Sequence, residues 1–349
     1  MGTPLDIHPA MAYAPQEPWP PFSESVLGWD DSFHDLMLND RLRMHAYRDA
    51  IFEVVQRGDY VVDLGTGTGI LSQWALEAGA ARVTGIEMNA HMLDLARQRI
   101  ANVGYADRFE AVNQISYDVH LANPADVLIS EIIGNLADNE NFQPILADAI
   151  ARFLRPGGAI LPQAVSSFLV PVAADQAHRN IAEGLVSRLN DRYDVTKLYG
   201  RPGIRSPFDI YYDCILPRDL YLSQPKRLRR YEGAWDQPAT YAKSLAYTMT
   251  TNGTLTGFKG YFVAELSAHT VLDISGDDIF AGTTSDSWKH AYLPIQSPID
   301  VQAGDTLNLA FSRRYPSGEP TGFQQVYAWA GGVYRDGTLI ARFSQASGE

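Results

Sequence analysis

The spacing of apolar and polar positions changes once along this chain, near residue 162. Before that point, short apolar runs of strand length alternate with stretches whose apolar residues recur at helical spacing. HDLMLNDRLRMHAYRDAIFEVV (34–55) predicts one helix, with Leu36, Leu42, Met44, Tyr47, Ile51 and Val55 along its apolar stripe. YVVDLG (60–65) predicts a strand ending in glycine, ILSQWALEAGA a helix, and ARVTGIE (81–87) the next strand. HMLDLARQRIANVG predicts a helix closed by Gly104, and ADVLISE (125–131) another buried strand. QPILADAIARFLRPGG predicts a helix stopped by Pro156 and the two glycines after it. Strands alternating with helices in this way predict a parallel, doubly wound sheet over residues 30–162.

Beyond it the period falls to two. SSFLVPV, FDIYYDCIL, KSLAYTMTTNGTLTGFKGYFVAEL, VLDIS, TLNLAF and GTLIARF predict strands of a β-rich domain, barrel or sandwich, over 163–349. Asn252-Gly253 and Asp336-Gly337 each predict a hairpin turn. DQAHRNIAEGLVSRLNDRY (175–193) predicts a helix interrupting those strands. At the other end, residues 1–29 form a separate segment. Six prolines fall within 1–25, with Trp19 and Phe22 among them, which predicts an extended arm or lid rather than a core element.

Composition narrows the partners. Of 349 residues 46% are hydrophobic, enough for a sizeable core, and 28 Lys plus Arg against 41 Asp plus Glu leave a formal charge of −13. That balance speaks against nucleic acid or an anionic membrane and suits a cationic partner. The basic run Lys226–Arg230 is read as a solvated face. Cys214 is the sole cysteine, so no intrachain disulfide forms and a reducing, cytoplasmic setting is expected. No apolar run approaches the roughly eighteen residues of a membrane span, and the first residues carry neither a signal-peptide nor a myristoylation pattern.

The chemistry concentrates in two places. Asp63-Leu-Gly65-Thr-Gly67-Thr-Gly69 lies where a strand passes into a helix, so bare backbone and helix N–H groups can meet a ligand. A dinucleotide site places its third glycine one position later. The earlier glycine, with an aspartate before the first, is the form usual in S-adenosylmethionine methyltransferases. Glu87 ends the next strand, 24 residues after Asp63, where an acidic side chain can accept from ribose hydroxyls. The second place is ADVLISEIIGNLADNENF. Glu131 ends its strand and Glu140 follows nine positions later, in a stretch (109–151) with seven acidic residues and no Lys or Arg. Two carboxylates so placed repel each other unless a cation lies between them, and a planar guanidinium matches their geometry. No histidine pair or aspartate cluster surrounds them, so no metal is expected.

SEIIGNLADNE resembles the double-glutamate loop of the protein arginine methyltransferases, closest to their symmetric-dimethylating branch, and DLGTGTGIL resembles their cofactor motif. HDLMLNDRLRMHAYRDAI is similar to the family's cofactor-covering helices, and LTGFKGYF and DSWKHAYLPIQSPI to its barrel. The resemblance implies a Rossmann-like class I methyltransferase domain followed by a β-barrel. A helical arm within about 175–215 would build a homodimer. It further implies that Arg43 holds the cofactor's carboxylate and that Ser116 lies near the adenine. Met37, Ser287 and Trp288 border the acceptor, and Glu131 and Glu140 grip its guanidinium. Met37 matches the asymmetric branch while the loop matches the symmetric one. The family's tyrosine-rich stretch is replaced by SVLGWDDSF, leaving Trp29 and Phe33 as aromatic candidates. With no large accessory domain, the reading leans to free arginine or a small guanidino metabolite, with peptidyl arginine as the alternative. A non-catalytic assembly partner and methylation of a neutral oxygen or carbon are further alternatives.

Overall fold

The computed structural model describes residues 14–23, 31–188, 196–316, 318 and 324–349, with the side chains of 31–33 left aside. Trp29 and the side chain of Phe33 therefore lie outside the described residues. The single helix expected over 34–55 is two, α1 (Asp31–Asn39) and α2 (Arg41–Val54). They part at Asp40, which leaves the helical region and caps α2 by accepting the Arg43 N–H at 3.1 Å. There follow β1 (Tyr60–Leu64), α3 (Ile70–Ala78), β2 (Arg82–Ile86), α4 (Ala90–Asn102), β3 (Phe109–Val112), β4 (Ala125–Ser130), α5 (Phe142–Phe153) and β5 (Leu154–Leu161). The five strands form one parallel sheet in the order β3-β2-β1-β4-β5. Succession reverses between β1 and β4, and crossovers leaving in opposite directions open a crevice at their carboxyl ends. Leu64, Val83, Leu128 and Ile129 of the strands pack with Trp74, Ile100 and Phe153 of the helices in the core that holds those ends in place.

Pro156 and its glycines do not simply end a helix. They lie inside β5, an edge strand bulged against β4 between Leu154 and Ala159, where a missing N–H is tolerated.

The remainder is β6 (Ala164–Val172), α6 (Asp175–Ala182), α7 (Thr196–Tyr199), β7 (Tyr212–Cys214), β8 (Lys226–Glu232), β9 (Tyr241–Thr248), β10 (Gly253–Glu265), β11 (Val271–Asp273), β12 (His290–Val301), β13 (Thr306–Arg314), β14 (Val326–Arg335) and β15 (Thr338–Ala346). The barrel consists of two antiparallel sheets, β7-β12-β10-β6-β8 with β11 on β10, and β15-β14-β13-β9. They enclose one core containing Leu169, Phe258, Leu293, Leu309, Phe311 and Trp329. Trp329 donates across it to the Pro294 carbonyl at 2.8 Å, and Tyr247 to Leu169 at 2.9 Å.

Of the two expected hairpins one forms. Asp336 and Gly337 both take positive φ and join β14 to β15. Asn252-Gly253 instead separates β9 from β10, which belong to different sheets. The Asn252 side chain accepts the Ala303 N–H at 2.9 Å, tying this corner to the β12–β13 turn. The helix expected over 175–193 ends at Ala182, with Gly184 at φ 74°, and 189–195 lie outside the described residues. Ala177 and Ile181 of α6 pack on the outer face of the barrel with Val170, Phe208 and Tyr212. No helix among the described residues is long and apolar enough to cross a membrane.

Candidate active site

A cavity of about 450 Å³ lies over the carboxyl ends of the parallel strands, beneath α1 and α2, and against the barrel. Its floor is the turn after β1. Gly65 at φ 75° and Gly67 at φ 52° adopt conformations that side chains resist, and a Cβ on Gly65 would come within 2.9 Å of Ile132. The Gly67 N–H donates to Glu87 at 3.0 Å, and the Asn89 N–H donates to its other oxygen at 2.8 Å. Burial raises the Glu87 pKa, and those two backbone donors work against the rise.

The loop from Glu131 to Glu140 is the opposite wall. Gly134 and Ala137 exchange backbone hydrogen bonds at 3.0 and 2.8 Å, and Ala137 takes φ 69°, so the loop doubles back on itself. The Asn139 side chain accepts the Leu136 N–H at 3.0 Å. Asp138 points away into the barrel and accepts from Tyr231 at 2.5 Å, Tyr327 at 2.7 Å and Tyr241 at 2.9 Å. Arg313 donates to the Asp138 carbonyl at 3.0 Å and to the Asn141 side chain at 3.1 Å. The loop is thus bolted to the second domain, and both glutamates face the cavity.

The charges there are unbalanced. Glu87, Glu131, Glu140 and Asp213 line the cavity, and Arg43 is the one Lys or Arg among the described lining residues. Arg43 pairs with Glu131 and lies 4.7 Å from the centre of the Trp288 ring. Burial lowers the Arg43 pKa, with Asp40 foremost among the groups opposing the shift. Burial raises Glu140 to about 7; Arg43 pulls it down and Asp213 pushes it further up. Such a pocket has room and charge for a cation next to the glutamates, with bare backbone on the far side for a nucleoside.

Residues 61–158 match the family described as a methyltransferase domain, and residues 164–319 the family described as the PRMT5 oligomerisation domain. An arginine N(omega)-methyltransferase of Streptomyces achromogenes subsp. streptozoticus is 28% identical over 286 residues, covering 79% of this chain and 74% of that protein. Protein arginine N-methyltransferase PRMT10 of Oryza sativa subsp. japonica is 35% identical over 149 residues, 42% of this chain and 39% of its own length. The Trypanosoma brucei PRMT1 enzyme–prozyme complex with AdoHcy superposes with a TM-score of 0.74 at 18% identity, covering 93% of this chain and 98% of that one. Over most of its length the chain is similar to protein arginine N-methyltransferases, with a methyltransferase domain followed by that oligomerisation domain. It is accordingly an S-adenosylmethionine-dependent enzyme.

In this methyltransferase the cavity brings together Met37, Arg43, Gly65, Gly67, Glu87, Ser116, Glu131, Glu140, Ser287 and Trp288. Two residues read as cofactor contacts are elsewhere. Asp63 is fully buried below the glycine turn, accepting from Thr66 and Ser72 at 2.6 Å each, so it braces the turn from beneath. Gly69 starts α3 at φ 79°, and a Cβ there would meet Ala96 of α4 at 2.8 Å; its need is helix packing. The Ser287 hydroxyl is held by Asp40 at 2.7 Å, and Trp288 donates to the Ile133 carbonyl at 2.6 Å.

The sequence reading missed Asp40, Asn135 and Asp213. Asp40 carried a usable signal, an acidic residue three before Arg43 in cap position. Asp213 carried none, because it comes from a three-residue strand of the other domain.

Proposed function

We propose that this enzyme methylates an ω-nitrogen of arginine within a protein or peptide. The observation that carries the reading is the pair Glu131 and Glu140 held in one cavity with the glycine turn and Glu87. The resident residues fit the cofactor: Gly65 and Gly67 would lie under it, Glu87 would accept from its ribose, Ser116 would flank its base, and Arg43 would take its carboxylate. Bound there, S-adenosylmethionine supplies a methyl group on a sulfonium. Glu131 and Glu140 would each accept guanidinium N–H groups and draw positive charge towards themselves. That leaves the third nitrogen turned to the methyl carbon with its electron pair less delocalised. Glu140, poised near neutrality, is the better placed to accept the released proton.

The comparisons give peptidyl arginine more support than the free amino acid, since relatives in Oryza sativa and Arabidopsis thaliana are named protein arginine N-methyltransferases. Free L-arginine stays as the second reading, on the name of the Streptomyces relative and its alignment over most of this chain. Incubation with methyl-labelled cofactor and either an arginine-rich peptide or L-arginine, followed by mass spectrometry, separates the two. Label in free arginine alone overturns the first reading. Label in neither overturns arginine methylation itself. The match over 164–319 further supports assembly as a homodimer, which light scattering tests; a monomer at micromolar concentration would contradict it.

A further inference from the structure

The segment 14–23 is not a frayed tail. Trp19 exchanges backbone hydrogen bonds with Asp213, its N–H donating at 2.8 Å and its carbonyl accepting at 3.0 Å, and the Gln16 N–H donates to Ile215 at 2.8 Å. The segment thereby adds itself as a short strand to the edge of β7. Pro18 accepts from the Ser187 N–H at 2.9 Å. Lys289, next to Trp288, sets its ammonium 5.2 Å from the Trp19 ring centre and 5.0 Å from that of Phe22. Trp19 and Phe22 are both buried.

The end of this strap reaches the cavity, where Phe22 and Ser23 stand among its lining residues. The Phe22 N–H donates to the Asp213 carboxylate at 2.8 Å, and Asn135 of the double-glutamate loop donates to the other oxygen of that carboxylate at 2.7 Å. The Ser23 hydroxyl accepts from the Asn139 amide at 2.8 Å and lies 2.9 Å from the Tyr211 hydroxyl. Asn139 directly precedes Glu140. The strap therefore touches the side of the loop that carries Glu140, while the glycine turn and Glu87 lie on other elements.

We propose that Phe22 and Ser23 form the acceptor-side wall of the cavity, Ser23 positioning Glu140 through Asn139 and Phe22 setting the width offered to the acceptor. The proposal rests on the reading that a guanidino acceptor enters here. Its reach is selective: contacts on this side govern acceptor affinity and leave cofactor affinity alone.

The experiment compares Ser23→Ala, Ser23→Thr and Phe22→Ala in the full chain. It measures acceptor KM and kcat with an arginine-rich peptide and with L-arginine, and cofactor Kd by calorimetry. Ser23→Ala and Phe22→Ala should each raise acceptor KM about tenfold, the scale of one lost hydrogen bond or one lost apolar wall. Cofactor Kd should stay within about twofold, and Ser23→Thr should recover most of the loss because it keeps the hydroxyl. Unchanged KM in both alanine variants overturns the proposal, as does a parallel loss of cofactor and acceptor affinity, which would mark a structural role only. Should the variants not fold, hydrogen exchange on the unmodified enzyme decides. With S-adenosylhomocysteine present, adding the acceptor should slow exchange over 18–23, and no slowing overturns the proposal. If the unmodified enzyme methylates neither acceptor, the functional reading fails, and the strap assignment fails with it.

Discussion

Glu140 and Asp63 are both sunken carboxylates with raised pKa values, about 7 and about 6, yet their surroundings give them different work. Asp63 takes two hydroxyl donors at 2.6 Å, both on one of its oxygens, beneath the glycine turn; Glu140 faces the cavity beside Asp213, so its charge waits for a cation to be supplied. Glu140→Gln keeps the shape and removes the charge. It should lower acceptor kcat/KM at least about a hundredfold, the scale of a lost charge-assisted contact in a transition state, with cofactor Kd unchanged. The unmodified enzyme should lose acceptor kcat/KM below about pH 7, because a protonated Glu140 no longer grips a guanidinium. That acid limb should be missing in whatever activity Glu140→Gln retains; an identical pH profile would contradict the assignment. Arg43 is bound into the same balance. Arg43→Leu leaves Glu131 buried without its partner, which should cost about 3 kcal/mol in urea unfolding and weaken the cofactor.

The loop from Glu131 to Glu140 is only as good as its anchors. A Cβ on Gly134 would fall 2.1 Å from the Asn139 side-chain oxygen, so Gly134→Ala must displace Asn139, and with it the backbone leading into Glu140. Steady-state kinetics should show kcat falling more than tenfold with the melting temperature lowered by only a few degrees, the pattern of a misplaced group rather than an unfolded protein. Elements of this kind show what the sequence discloses. The glycine turn, Glu87 and Glu131 were legible because each ends a strand of the parallel sheet, and their spacing follows from that period. Asp336-Gly337 was legible because a two-residue turn is local chemistry. Asn252-Gly253 misled because the same dipeptide sits at a corner where strands change sheets, a matter of tertiary pairing. β5 was hidden by Pro156 and two glycines, which only an edge position makes tolerable. Phe22 and Ser23 showed as an arm, not as a wall, because their partners lie more than a hundred residues away.

The cavity is a product of two domains meeting, and its excess of carboxylates should register in the stability of the whole molecule. Glu140 has a raised pKa in the fold against an ordinary value of 4.5 in the unfolded chain, so between those values the fold binds more protons. The stability it contributes is complete below about pH 4.5 and is lost as pH rises through about 7. Other buried groups act in the opposite sense. His290, held well below its usual value by burial, makes stability rise with pH over part of the same window, and Lys259, lowered to about 7, does so above it. The bare pH profile of the protein mixes these effects, so the informative quantity is a difference. Relative to the unmodified enzyme, Glu140→Gln should gain stability as pH rises from 5 to 8, by at most about 3 kcal/mol at about 1.4 kcal/mol for each tenfold change in proton affinity. Urea unfolding of both proteins at each pH measures it. Occupancy should remove the gain. With S-adenosylhomocysteine and an arginine peptide bound, the guanidinium supplies the charge that Glu140 lacks, and the unmodified enzyme should then be the more stable of the two at pH 8. A difference that stays flat with pH in the free protein would mean that Glu140 is already neutralised by a partner within the fold, and the cavity would no longer require a cationic acceptor.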